Sequence, residues 1–239
     1  MKYDVVVSPV REVSLRGSAD LAFWRERLAK EGVFPAEVAG LASLLICAAE
    51  ARFMGLTFRE LSISVFVSRT RSGATRDGAF LVHAFNSNRF FAFVERTLFQ
   101  TPYHHGRVVV DVELPAKAEV TLAGEAVLRM EMDRGEVAAG RIPLRDELDG
   151  FEGPIFLPGA PVGKPIQGRL FFGKLNGSTQ VFPFLSSDSL HIRPTANCPV
   201  LQWLVDSRFT GEEWSIRRDA THGKSKTTRR TAVAEWFEV

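Results

Sequence analysis

The runs LSISVFVS, residues 61–68, and FLVHAFNSNRFFAFVERTLFQTPYHHG, residues 80–106, decide how this chain reads. Leu61, Ile63, Val65 and Val67 alternate with Ser62, Ser64, Phe66 and Ser68, the period of two expected of a strand with one wetter face. Arg71 to Gly78 is a polar, glycine-bounded turn, and Ala79 to Phe85 resumes the apolar pattern. Together they predict an antiparallel hairpin. Asn86-Ser-Asn is a turn signal. Beyond it, Phe90, Phe91, Val94 and Leu98 fall at helical spacing with Glu95 and Arg96 on another face, and Pro102 closes the helix.

Upstream, Tyr3 to Val13 reads as an opening strand. Ser18 or Asp20 then caps a helix whose buried face is Leu21, Trp24 and Leu28, with Gly32 following the basic Lys30 at its end. Leu41 to Ala51 fits a helix or a buried strand, and periodicity does not choose between them. Downstream, strands are predicted at Arg107–Leu114, Ala118–Ala123 and Ala126–Met132, separated by Pro115 and Gly124. Gly150 to Pro165 reads as a long surface loop. Further strands are expected at Arg169–Leu175, Thr179–Phe184, Ser189–Arg193 and Leu201–Arg208, with Asn176-Gly177 as a hairpin turn. Asp219 to Thr231 is polar and basic and reads as a mobile segment before Ala232–Val239. No linker divides the chain. The expectation is a single domain over residues 1–239, mostly β (α+β), built as a large antiparallel β-barrel or cone with a ligand cavity and a few short helices.

Composition narrows the function classes. Among 239 residues there are 19 Phe and only 2 Tyr, apolar bulk that suits a wide core or a ligand cavity. A net charge of +2 gives no field to attract nucleic acid or an acidic membrane. The longest apolar stretch, Val38 to Ala49, is too short to span a bilayer, and the N-terminus has no signal-peptide core, so a cytoplasmic location is expected. Cys47 and Cys198 read as buried thiols rather than a disulfide. Five histidines show no His-x-x-x-His spacing and no Cys-x-x-Cys is present, which gives no reason to expect a metal or other cofactor. Gly163-Lys164-Pro165 lacks the rest of a phosphate loop, and the basic run Lys224 to Arg230, without interleaved aromatics, reads as a solvated tail.

The stretch MGLTFRE, residues 54–60, followed by Phe80 to His104, resembles the acetoacetate decarboxylase family. There a strand, an Asp/Asn turn and a short helix lead through an Arg-Glu-Leu-like segment to a Pro-Lys-Lys motif. Here the strand is Phe80–Phe85, the turn Ser87-Asn88, the helix end Arg96-Thr97-Leu98 and the proline Pro102. With the strands that follow, the resemblance covers about half the chain. It implies the family's barrel and a small-molecule ligand, and it leaves a homo-oligomer open.

The resemblance also implies a changed chemistry. The family's first lysine after the proline forms an imine with a β-keto acid, helped by its lysine neighbour. Those positions hold Tyr103 and His104, which cannot form an imine. Lys174 is the lysine to examine as a replacement. Glu60 matches a pocket glutamate of the family; it reads either as a general acid or base raised by burial or as a strand-start carboxylate paired with Arg59. The second family glutamate falls near Leu45. Tyr103 and His104 stand where the motif places the catalytic pair, as acid, base or oxyanion donors, or else as turn residues, with His105 solvated. Arg96 matches a family arginine that could hold a substrate carboxylate or tie the helix to an acidic group. His83 faces the same way as Leu81 and Phe85 and reads as a substrate-contacting or a core histidine. Three functions remain: an acid–base lyase acting without an imine on a small oxo acid or polyketide-like molecule, a non-catalytic small-molecule-binding protein of the same fold, and, third in order, an oligomeric structural protein with a vestigial pocket.

Overall fold

The alternation at residues 61–68 becomes the middle of a closed circuit of strands. The structure, a computed structural model, describes residues 2–133, 135, 141–159 and 168–229. The hairpin is β5 (Leu56–Ser68) and β6 (Gly78–Asn86), paired antiparallel from Glu60↔Asn86 to Val67↔Gly78. On its other side β5 pairs with β4 (Leu41–Phe53), and β4 with β1 (Val5–Asp20). β1 pairs with β14 (Thr210–Lys224), β14 with β12 (Arg169–Pro183), and β12 with β11 (Arg145–Leu157). β11 returns to β6 through Ile155↔Ala79 and Phe156↔Phe80, which closes the ring. That last pairing is parallel, as is that of β7 (Tyr103–His105) with β6, so the sheet is not purely antiparallel. Short strands β2 (Phe34–Pro35), β3 (Glu37–Val38) and β15 (Thr228–Arg229) attach to β5, β4 and β12.

Alternation gives the ring two unlike walls. One carries Leu15, Leu44, Ile46, Leu61 and Ile63, each wholly inaccessible. Against it pack a second sheet of β8 (Arg107–Asp111), β9 (Lys117–Leu122), β10 (Glu125–Glu131) and β13 (Ser189–Ile192), and helix α1 (Leu21–Ala29). An entire sheet cannot fit within seven strands, so this wall is the outer one. The other wall carries Ser14, Cys47, Ser62 and Ala84, which follow one another across β1, β4, β5 and β6. On this wall Lys224 of β14 comes within 6.0 Å of the Tyr103 ring on β7. Only an inward-facing wall brings strands so far apart in the sheet order together. Small side chains and hydroxyls there leave Cys47 and Ser62 part-accessible in the middle of the sheet.

α1 forms as expected, with the Asp20 carboxylate accepting from the Phe23 amide at 2.7 Å and Leu21, Trp24 and Leu28 buried. Leu41–Phe53 is strand. α2 (Arg89–Thr97) is capped by Asn88, whose side chain accepts from the Phe90 and Phe91 amides. Four expectations need correction. Gly150–Leu157 belongs to strand β11, because Gly150 and Gly153 let β11 and β12 pair closely; a Cβ on Gly150 would meet Leu175 O at 2.9 Å. Residues 160–165 of that predicted loop lie outside the described residues. Asn176-Gly177 is not a hairpin turn but an irregularity within the continuous strand β12, and neither residue has the positive φ that such a turn requires. Leu201–Arg208 is mostly helix, α3 (Pro199–Asp206), with Pro199 in its first turn and Val200, Leu201 and Leu204 buried. Asp219–Lys224 is no mobile tail but the end of β14; residues 230–239 lie outside the described residues.

Ring closure at β1–β14 depends on Gly17. A Cβ there would sit 2.1 Å from Thr210 O and 2.7 Å from the Phe209 ring. Gly17→Ala is expected to destabilise by at least the roughly 1–3 kcal/mol of an overpacked site, read as a loss of several degrees in Tm. An unchanged Tm would mean that the seam is slack.

Candidate functional site

The inner wall is apolar at one end and charged in the middle. Val7, Val10, Ala51 and Ala220 form the apolar end, beside Phe58, on which Phe91 of α2 packs edge-on with centroids 5.2 Å apart. The next layer holds Glu60 on β5, Tyr103 on β7, and His222 and Lys224 two residues apart on β14. Period two is what aims both β14 side chains inward.

The Tyr103 hydroxyl donates to Glu60 Oε2 at 3.1 Å. Burial pushes the Glu60 carboxyl above its ordinary value; the Glu95 charge adds to this, while His222, the Tyr103 hydrogen bond and Lys224 pull it back. Burial and then the charges of Glu60 and Glu95 hold the Tyr103 phenol well above its usual range, so it remains a donor. The Lys224 ammonium reaches Glu95 Oε2 at 2.5 Å and lies 4.6 Å and 4.7 Å from the Phe99 and Phe171 rings. Glu95 also accepts from the Thr101 hydroxyl at 2.7 Å. The assembly offers a carboxyl whose pKa is raised above the ordinary carboxylate range, a neutral hydroxyl donor and a cation.

At the far end of this wall, Arg16 of β1 and the exposed Asp149 of β11 lie near Arg76, an exposed residue of the turn between β5 and β6. The Arg76 guanidinium stacks over the Phe66 ring at 3.2 Å, and burial together with the Arg16 charge lowers its pKa to about 10. Among the described residues Arg76 meets no carboxylate at ion-pair distance, whereas Arg16 is paired with Glu213 at 2.7 Å.

The five residues singled out in the sequence do not form one site. Glu60 and Tyr103 meet. Alternation along β7 turns His104 to the opposite wall, where its ring stacks on His83 with centroids 4.7 Å apart. His83 Nε2 lies 3.6 Å from Cys198 Sγ, and burial, then His104, lowers the His83 pKa to about 3. His83 is thus a core histidine. Arg96 is exposed on α2, and its charge, after burial, lowers the His104 pKa. Neither it nor His104 faces Glu60. Lys174 also points outward, pairing with Glu152 at 3.2 Å with both side chains substantially exposed. Glu12, Glu95, Arg217, His222 and Lys224 were missed. The signals available were the inward parity of Glu12 with Ser14 and of His222 with Lys224.

No family model matches the sequence, and no curated protein matches it. Solved structures do match. An acetoacetate decarboxylase-like enzyme from Sphingomonas wittichii RW1 aligns over 96% of this chain and 94% of its own, with TM-score 0.58 and 12% identity. Acetoacetate decarboxylase from Legionella pneumophila aligns over 94% and 86%, with TM-score 0.61 and 13% identity. The enduracididine biosynthesis enzyme MppR, bound to the condensation product of pyruvate and imidazole 4-carboxaldehyde, aligns over 96% and 90%, with TM-score 0.59 and 9% identity. The chain has the acetoacetate decarboxylase-like fold.

Proposed function

We propose that this protein binds a small oxo acid inside the ring and moves protons at the carbon beside the carbonyl, without forming an imine. The observation that carries the reading is the half-buried Glu60 carboxyl, raised by desolvation and held by the Tyr103 hydroxyl on the inner wall. A base poised in this way can take a proton from carbon, and a neutral phenol can hold the carboxylate or the developing oxyanion. Arg76, which meets no carboxylate among the described residues, and the Lys224 ammonium supply positive charge for an acid substrate. MppR, of the same fold, is bound to a condensation product of pyruvate, which supports an oxo-acid class.

Imine chemistry needs a neutral amine. Lys224 is the lysine that reaches this layer, and its ammonium is engaged in an ion pair with Glu95 and against aromatic ring faces. Its role is to bind charge. Borohydride added during incubation with acetoacetate should therefore leave the intact mass unchanged. A reduced adduct mapped to Lys224 would overturn the imine-free reading and make Lys224 the nucleophile. A wild-type protein that binds pyruvate or acetoacetate yet never exchanges their carbon-bound protons with solvent would be a carrier instead.

A further inference from the structure

Glu60 can remove a proton, but an enol forms readily only if the carbonyl oxygen receives one in return. Around the same layer, β1 and β14 hold a group built for that task. Glu12 is almost wholly buried, with 1% of its surface accessible. Its Oε1 accepts from Ser14 Oγ at 2.7 Å and from Arg217 at 2.6 Å, and Oε2 meets His222 Nε2 at 2.9 Å. Arg217 is fixed in turn by Nε donating to Thr179 Oγ1 at 2.7 Å and NH2 to Asp149 Oδ2 at 3.1 Å.

Arg217 is shared between the Glu12 and Asp149 carboxylates, so its single charge does not balance both. His222 is a second cation on the same carboxylate, and its ring is the accessible one, with 25% of the side chain open against 8% for Arg217. With Nε2 committed to Glu12, Nδ1 has no partner among the described residues. The charged groups facing the ring are Glu12 on β1, Arg217 on β14 and Glu60 on β5. Burial works against the imidazolium, but the Glu12 hydrogen bond and the Glu12 and Glu60 charges outweigh it, and the His222 pKa is raised. A carboxylate on one ring nitrogen fixes the ring's orientation and leaves the other as the reacting atom.

We propose that His222, oriented by Glu12, is the general acid that works with Glu60, delivering a proton from Nδ1 to the substrate carbonyl oxygen. This rests on the reading of Glu60 given above. In the step, the carbon–hydrogen bond breaks toward Glu60 and its electron pair becomes the carbon–carbon double bond. The carbonyl π pair takes the Nδ1 proton, leaving a neutral imidazole on Glu12, a protonated Glu60 and the enol; the reverse step restores all three.

The test follows exchange of the pyruvate methyl protons in D2O by proton NMR, across pH, with circular dichroism to confirm folding. His222→Ala should slow exchange about 10²-fold or more, and free imidazole should restore it. The fall of the wild-type rate at high pH, where His222 loses its proton, should disappear in the variant. His222→Gln, which keeps a donor toward Glu12, should be equally slow and serves if the alanine variant does not fold. Exchange lost in Glu60→Gln but unchanged in either His222 variant would overturn this inference alone. No exchange by the wild-type protein with pyruvate or acetoacetate would overturn the reading of Glu60 and the inference together.

Discussion

Glu60→Gln is expected to slow exchange of carbon-bound protons by roughly 10²–10⁴-fold while leaving ligand affinity within a few-fold of wild type. The amide keeps the volume of the carboxyl and an oxygen to accept from Tyr103 at the 3.1 Å position, so the wall of the site survives. What it cannot do is take a proton. The pH dependence follows with a definite sign. Glu60 works as a base only when ionised, and burial raises its pKa, so the wild-type rate should climb through a value above that of an ordinary carboxyl. The Tyr103 hydrogen bond favours the ionised form. Tyr103→Phe should therefore move this climb to higher pH, with a much smaller loss at the plateau. Full exchange in Glu60→Gln, measured by the same NMR assay, would remove Glu60 from the chemistry.

Arg217→Met should be the most damaging substitution to stability. The Arg217–Glu12 pair is buried on both sides, and removing one partner of such a pair typically costs about 3–5 kcal/mol because the other charge stays buried. For a chain of this size that is a fall in Tm of roughly 10 °C. The double variant Glu12→Gln with Arg217→Met should recover part of the loss, since the stranded charge is gone. pH gives a second check. Desolvation pushes the Glu12 pKa up, but the His222 hydrogen bond and the Arg217 charge prevail and hold it at about 2, against 4.5 for the free side chain. A lowered carboxyl stabilises the fold above its unfolded pKa, so this contribution, on the order of 3 kcal/mol, should vanish as pH falls from about 4.5 toward 2. In Arg217→Met the acid loss should begin at the same pH, end at a higher one and be smaller, because the Glu12 pKa moves back toward its free value. A Tm within about 2 °C of wild type would show that water, not Arg217, satisfies Glu12.

The hairpin of β5 and β6 was legible because its pattern is local: four apolar residues at a spacing of two, a glycine-bounded turn, then the return. The misread segments share a different cause. Leu201–Arg208 is short and apolar, and such a run cannot distinguish strand from helix by period; Pro199 in the first turn was the better guide. The end of β14 looks like a tail because His222 and Lys224 are polar, and hydropathy cannot see that Glu12 and Glu95 await them from distant elements. The candidate site divides in the same way. Glu60 and Tyr103 could be read because motif and alternation agree on them. His104 could not, since the motif argued for it while its place next to Tyr103 on one strand turned it to the other wall.

The seam between β1 and β14 joins Val5 to Lys224, nearly opposite ends of the described chain. Pairings so distant in sequence have a high entropy of closure and tend to form late. As a ribosome extends the chain, β4, β5 and β6 can find one another, but Glu12 waits unpaired until β14 emerges. The Glu12–Arg217–His222 cluster then arrives with the final stitch of folding, and a nascent or nicked chain lacking β14 would retain much of the hairpin and none of that cluster.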